Sequence, residues 1–427
     1  MSTPAILFTV LGICLLLRVP IGISLGIGTL TAILSSGVVS TRYLAQSMTT
    51  ALDSFPLMAV PFFILAGEIM GTGGISKRLL HVANGWLGHI TGGMALVTVA
   101  ACMFFAAISG SAPATVAAIG GLVIPEMLRQ GYDKNFTCGL IASAGSLGVV
   151  IPPSIPMVLY GVAVSVSISD LFIAGVVPGL LIGGGLMLYA YMYCKKKKYT
   201  FATEKVPLGQ RFVRAWEAKW ALLVPVVILG GIYAGIFTPT EAAAVAVLYG
   251  FVVSMFVYKE LTIKDLGGVF SRSALTTATV LIVIGTATAF GRIMTLEKIP
   301  LMLTSAINAF SSSPIVVMGL LMLFLIFVGC FMDAPAAIVI LAPLLMPVAA
   351  KVGVDPIHFG VAMVVNLSIG FITPPLGLNL FVTCGIANIS LDAISRAVLP
   401  FLAVMLVILL LIVSVPGISL FLPGLGK

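Results

Sequence analysis

The sequence predicts an all-α polytopic membrane protein built from two inverted-topology repeats, each of about five transmembrane helices plus a re-entrant hairpin. Three observations predict it. The 427 residues are 60% hydrophobic and only 8% charged, against about 25% charged for a water-soluble domain, so the chain cannot cover itself with polar surface. A single ungapped offset of 222 residues lays prolines, glycines and aspartates of the first half on the same residue types of the second. The basic residues gather in alternate loops, the positive-inside pattern of inserted helical proteins. A porin-like barrel would show short alternating strands with polar lumen positions instead.

The N-terminal run MSTPAILFTVLGICLLLRVP has no basic n-region and no small-residue cleavage pattern, so it is expected to stay as the first span. The first repeat, residues 1–193, places spans near 4–17, 20–37, 53–72, 135–165 and 171–193 with a hairpin near 92–128. Residues 194–220 read as a cytoplasmic linker with Trp216 and Trp220 at the membrane interface. The second repeat, 221–427, places spans near 221–238, 241–258, 274–295, 357–388 and 397–422 with a hairpin near 314–350. The hairpins follow from length and breakers: His89 to Pro125 carries no formal charge, too long for one ordinary span, and its centre is the turn-forming AISGSAPAT.

The offset carries Ala112 and Pro113 onto Ala334 and Pro335, Pro125 onto Pro347, Gly131 onto Gly353, and Asp133 onto Asp355. It continues through Gly148 onto Gly370, Pro152 and Pro153 onto Pro374 and Pro375, Asp170 onto Asp392, and Pro178 onto Pro400. Such duplications are a common way to build transporters. An odd number of crossings per repeat inverts the second half. With the N-terminus outside, 17 of the 22 Lys and Arg, among them Arg18 and Lys205, fall on the cytoplasmic side. Five, Arg42, Arg292, Lys298, Lys351 and Lys427, fall outside. Both termini are then periplasmic.

Several function classes are disfavoured. The net charge of +8 sits in short loops, so it indicates topology and no nucleic acid. The six cysteines are scattered without zinc or disulfide spacing, and His81, His89 and His358 are isolated. An intramembrane enzyme would need a GxGD with a second aspartate, an HExxH or a Ser/His pair at membrane depth, and no such motif stands out.

The two Pro-Pro breaks, in GVVIPPSIPM and GFITPPLGLNL, interrupt apolar segments. Non-helical backbone at membrane depth is tolerated where it is buried in protein or lines a cavity, and its freed carbonyls can replace a cation's water shell. The expected ion is Na⁺, held by neutral oxygens. One set is Ser109 and Ser111 with backbone around Gly148, Ile151 and Pro153; the other is backbone near Gly329 with Gly370, Thr373 and Leu376. Hard monovalent cations suit carbonyl and hydroxyl oxygens. The alternative for each hydroxyl is a bond back to its own helix. Asp333, two residues before the hairpin proline, either helps hold a cation or caps the half-helix. Asn366 and Asn379 flank the second break as substrate hydrogen-bonding candidates. Glu68 and Arg292 occupy near-equivalent places in the two halves, with a scaffold ion pair elsewhere as the plainer reading. Glu241 begins a span, where a carboxylate complements a helix N-terminus.

Together SGSAPATVAAIG, GVVIPPSIPMVLYG, FTPTEAAAVAV, FMDAPAAIVILAPLLMPVA and GFITPPLGLNLF resemble the large membrane subunit of tripartite ATP-independent periplasmic (TRAP) transporters, over essentially the whole chain. The resemblance implies an elevator-type ion-transporter architecture in the bacterial inner membrane. It implies Na⁺-coupled import of small organic acids such as C4-dicarboxylates or sialic acid. It also implies two partners, a small four-helix membrane subunit, expected here as a separate chain, and a periplasmic substrate-binding protein. Carried over by motif, the two cation sites fall on the residues given above, and substrate lies between them near Ser111, Asp333, Thr373, Pro374 and Asn379. A standalone Na⁺/carboxylate symporter that needs no binding protein is the nearest rival.

Overall fold

The computed structural model describes residues 2–17, 19–37, 39–199, 207–302, 305 and 313–425. Arg18, Lys205 and Lys427 of the topology count, and residues 200–206 of the linker, lie outside the described residues. Among the described residues every regular element is helical.

The first half begins with α1 (Thr3–Leu16), α2 (Ile21–Ser36), α3 (Thr41–Leu52), α4 (Ala59–Thr72, entered through a 3₁₀ turn at Phe55–Met58) and α5 (Ile75–Leu87). The hairpin is α6 (Gly93–Ser109) and α7 (Ala112–Arg129). The broken span is α8 (Lys134–Gly145), a 3₁₀ turn at Ser146–Val149, and α9 (Ile155–Val164); α10 (Ile168–Lys196) follows. Then come α11 (Leu208–Glu217), α12 (Lys219–Tyr233), α13 (Pro239–Val252, ending in a π turn at Val253–Val257) and α14 (Ile263–Leu296). The second hairpin is α15 (Pro314–Gly329) and α16 (Ala334–Lys351), and the second broken span is α17 (Pro356–Gly370) and α18 (Leu378–Ala387). The chain closes with α19 (Leu391–Ala397), α20 (Leu399–Ser414) and α21 (Gly417–Leu425).

The ends of these helices follow local chemistry. The Asp133 carboxylate accepts from Phe136 N at 2.8 Å and starts α8; Asp355 does the same for Ile357 N at 2.8 Å and starts α17. Ser111 and Ser154 cap α7 and α9, each with a proline in the first turn. Thr238 and Glu241 form a reciprocal capping box on α13, so Glu241 serves the helix N-terminus. The offset of 222 recurs in the element bounds: α7 and α16 start 222 residues apart and are 18 residues each, and α8 and α17 also start 222 apart.

Among the described residues five helices, one of them the hairpin helix α16, are individually long and apolar enough to cross a membrane, or up to eight if each bent pair counts as one span. That is fewer than the ten expected spans, for a physical reason. The breaks cut 135–165 and 357–388 into half-length helices, and 397–422 divides into α20 and α21 with a bend of 59°. Three short helices, α3, α5 and α11, also lie in stretches expected to be loops. Each alternates apolar and polar residues, which lowers its hydropathy below that of a span while leaving one apolar stripe.

Packing brings the broken spans of the two halves together in the interior. Residues 136–150 are all buried, as are 358–372. Asn379 Nδ2 donates to Ala142 O at 2.9 Å, tying α18 to α8, and Tyr160 OH donates to Pro356 O at 2.8 Å, tying α9 to the start of α17. His358 Nδ1 lies 2.7 Å from Ser419 Oγ and docks α21 on α17. The helices α2, α3 and α4 pack on α14, which also meets α16 of the second hairpin.

The helix α11 is turned inside out for a water-facing element. It bends 64° from α12, its Arg211 is buried against the Trp86 ring at 5.8 Å, and Leu208, Phe212, Val213 and Trp216 point outward, Trp216 with 70% exposure. Lys219 lies 4.0 Å from the Trp216 ring. An outward apolar face flanked by cations and indoles belongs at the headgroup boundary. The chain has three tryptophans, Trp86, Trp216 and Trp220, and all belong to this cluster. Intrinsic fluorescence in nanodiscs should therefore be quenched by lipids brominated near the glycerol end, with Trp216→Phe removing the larger share. Unquenched emission would place α11 away from the bilayer.

Candidate functional site

Each hairpin tip touches the break of its own half through the backbone. At the first tip, Ile155 N donates to Gly110 O at 3.3 Å; at the second, Leu376 N donates to Cys330 O at 3.3 Å. Gly110 has φ +61° and a Cβ there would stand 2.9 Å from Pro153 O, so both conformation and space call for glycine. Gly148 comes so close to Ser111 that a Cβ would run into its carbonyl oxygen and would lie 2.5 Å from Thr115 Oγ1. Gly370 repeats the approach at the second tip, where a Cβ would stand 2.6 Å from Gly329 O.

Around the first tip the oxygens form a small cluster. Thr115 Oγ1 donates to Ser111 O at 2.8 Å, and Ser109 Oγ lies 3.0 Å from Thr115 Oγ1. The structure thus brings together Ser109, Ser111, Gly148 and Pro153. Ile151 is set apart by its side chain, which packs on Gly179 of α10. At the second tip Gly329 and Gly370 are in backbone contact, and Leu376 is held to the tip by its amide. Thr373 Oγ1 donates to Ile369 O at 2.7 Å, back into its own helix, which leaves its lone pairs for another partner. The two breaks differ in exposure: Pro152 and Pro153 are buried, Pro374 is half-buried, and Leu376 is 45% exposed beside a cavity of about 660 Å³.

A second cavity, of about 530 Å³, is shared by both tips. Ser109, Gly110 and Ser111 line it from one side and Asp333 and Pro335 from the other, with Gly67 and Glu68 of α4 and Thr276 and Thr279 of α14 closing it. Asp333 occupies the N-cap position of α16, where its carboxylate interacts with the Ala336 amide of the first turn, and it also lines both cavities. Glu68 pairs with Arg272, Nε to Oε2 at 2.8 Å. Arg292 instead donates to Ser47 Oγ at 3.1 Å and Thr50 Oγ1 at 3.4 Å.

Asn366, Asn379, Thr373 and Pro374 do not line this shared cavity. Asn366 Nδ2 donates to Met322 O at 2.8 Å, binding α17 to the second hairpin, while Asn379 joins α18 to α8. Both asparagines are fully buried with Oδ1 lacking a hydrogen-bond partner. Two residues of the site go unmarked in the sequence. Thr115 has alanine at its 222-offset partner, Ala337, so the repeat hides it, and only its i+4 spacing from Ser111 hints at the contact. Gly67 lies against Ser109 in an otherwise ordinary apolar span.

Gly370→Ala should destabilise the chain by about 1–3 kcal/mol, the range for overpacking a tight contact. Gly319→Ala in α15, where a Cβ meets nothing within 4 Å, should be neutral or slightly stabilising. Thermal unfolding of the two variants in detergent checks this, and equal melting temperatures would sink it.

Comparison with known proteins shows the family. Residues 8–418 match the family described as Tripartite ATP-independent periplasmic transporter, DctM component. The chain is 49% identical, over 98% of its length, to the isethionate TRAP transporter permease protein DctMQ of Oleidesulfovibrio alaskensis, and spans 66% of that longer protein. It is 45% identical to the C4-dicarboxylate TRAP transporter large permease protein DctM of Pseudomonas aeruginosa, over 94% of each chain. It is 39% identical to the sialic acid TRAP transporter large permease protein SiaM of Vibrio cholerae, over 95% of each. The fold is similar to that of the YdaH transporter of Alcanivorax borkumensis, with TM-score 0.63 and 16% identity over 87% of this chain and 88% of that one. These relatives are transporter components and not enzymes. The chain belongs to the DctM family of large permease components of TRAP transporters, as a multi-pass helical membrane protein.

Proposed function

We propose that this chain is the large membrane subunit of a Na⁺-driven importer of a small organic anion in the bacterial inner membrane. Substrate is delivered by a periplasmic binding protein, and the chain works with a small membrane subunit carried on a separate polypeptide. The observation that carries the reading is the cavity of about 530 Å³ into which both hairpin tips project. Its walls come from the hairpin-bearing helices on one side and from α4 and α14 on the other, where an elevator-type displacement would slide one set past the other. The element bounds that recur at 222 residues support two inverted halves, and the positive-inside count supports periplasmic termini.

The Na⁺ sites are Ser109, Ser111, Gly148, Ile151 and Pro153 in the first half and Gly329, Gly370, Thr373 and Leu376 in the second. The fit is chemical: clustered hydroxyl and carbonyl oxygens suit a hard monovalent cation, and the carboxylates of Asp333 and Glu68 lie along the same cavities. The oxygens of Ser109, Ser111 and Thr115 already converge within hydrogen-bond distance of one another. Substrate lies between the tips near Ser111 and Asp333, extending toward Thr373, Pro374, Asn366 and Asn379 once the second break closes on it. Relatives named for C4-dicarboxylate, sialic acid and isethionate transport share an anionic head on a small polar body, and that is the substrate class.

Uptake of radiolabelled succinate, sialic acid and isethionate into proteoliposomes carrying the chain and its small partner should require both an inward Na⁺ gradient and the binding protein. Uptake that needs Na⁺ and ignores the binding protein would establish a standalone symporter instead. Asp333→Asn should lower the rate at least about tenfold, equivalent to ~1.4 kcal/mol of lost stabilisation. Thr373→Ala should raise the Na⁺ concentration for half-maximal uptake by a similar factor, and an unchanged Na⁺ dependence would remove Thr373 from the site.

A further inference from the structure

A third cavity, of about 340 Å³, lies along the same seam as the cavity between the tips. Three helices line both. On α9 the lining moves from Ile155 and Pro156 to Leu159 and Ala163; on α16 it moves from Pro335 to Val339 and Pro343. On α14 it moves from Thr276 and Val280 to Ile284, Thr288 and Arg292. Steps of three and four residues keep each helix on one face, so the two cavities follow one another between the same three surfaces. Thirteen residues from Thr279 to Arg292 span about 20 Å of helix.

Arg292 is the cation of this third cavity. Among the described residues it makes no ion pair, whereas Arg272, at the tip cavity's end of the same helix, is matched by Glu68. Its two bonds go to the hydroxyls of Ser47 and Thr50, and Ser54, Thr288 and Thr295 add further hydroxyls to the walls. A half-buried guanidinium without a countercharge, at the end of a seam through a membrane protein, marks a pathway by default. Its planar donors match a carboxylate or sulfonate in two-point fashion.

We propose that this cavity is an anion vestibule, in which Arg292 takes the acidic head of the incoming substrate before it passes along α14 to the cavity between the tips. The inference rests on the organic-anion import reading and adds a second, earlier binding position to it. Ser47 and Thr50 hold the guanidinium toward the cavity and so act as positioning residues.

The field of Arg292 can be read without any substrate. In the complex of the chain with its small subunit, Ala163→Cys puts a thiol on the cavity wall. Its rate with the anionic reagent 2-sulfonatoethyl methanethiosulfonate relative to its cationic trimethylammonium counterpart, each normalised to the reagent's rate with a small thiol in solution, should exceed one, after subtraction of labelling at the native cysteines. Arg292→Gln should reduce that rate ratio at least about fivefold, as removal of one nearby charge requires. Arg292→Lys should preserve it, which guards against misfolding. A ratio indifferent to Arg292→Gln would overturn the vestibule while leaving the import reading intact. In uptake assays Arg292→Gln should raise KM several-fold with maximal rate nearly unchanged; a fall in maximal rate at constant KM would also overturn it. Wild-type proteoliposomes that take up no organic anion would bring down the import reading, and the vestibule with it.

Discussion

Backbone that leaves the helix at membrane depth must find its hydrogen-bond partners inside the protein, and the architecture follows from that requirement. An unpaired buried N–H or C=O costs roughly 1–3 kcal/mol, and hydrocarbon supplies no water to relieve it. The chain breaks at two hairpin tips and two Pro-Pro segments, and each tip lies against a break so that Ile155 N reaches Gly110 O and Leu376 N reaches Cys330 O. The close approach that makes those bonds possible is what excludes a side chain at Gly148 and Gly370. What remains is a surplus of carbonyl oxygens, since each carbonyl has two lone pairs and the tips supply few donors. That surplus is the chemical basis for reading the tips as cation sites.

The two breaks are not in the same state. The first is sealed in the interior, with Ser154 Oγ donating to Val149 O at 2.5 Å to close it, whereas the second lies open beside a cavity that also exposes Asp333. The broken spans are nonetheless clasped to one another by Asn379 and Tyr160, so the interiors of the two halves are joined directly.

Much of this was legible in the sequence because the decisive residues are also the ones with distinctive backbone preferences. Prolines, glycines and capping aspartates carry the 222 offset, and they mark the bounds of α7, α8, α16 and α17 directly. The broken and bent spans were harder, since a hydropathy window averages across Gly148 or Val415 and returns one long segment. Amphipathic α3 and α11 are too polar and too short to read as spans, so the sequence alone presents them as loops. Partnerships were the least legible part. Glu68 and Arg292 hold near-equivalent positions in the two halves, yet equivalence under a repeat says nothing about distance, and Glu68 finds Arg272 instead. Thr115 lies outside the repeated pattern altogether. Asn366 and Asn379 flank the second break as expected, but their amides are committed to carbonyls of neighbouring helices.

The length of α14 has a mechanical consequence. Its 34 residues run about 51 Å at 1.5 Å per residue, against a hydrocarbon core of about 30 Å. Its apolar stretch, expected at 274–295, is about 33 Å long and fits that core, so the end of the helix that carries Lys264 and Asp265 protrudes beyond the hydrocarbon. Because α14 forms a wall of both the tip cavity and the Arg292 cavity, one uninterrupted helix carries both. The rise of that helix, and not the conformation of any loop, therefore sets the separation of the two cavities along the seam.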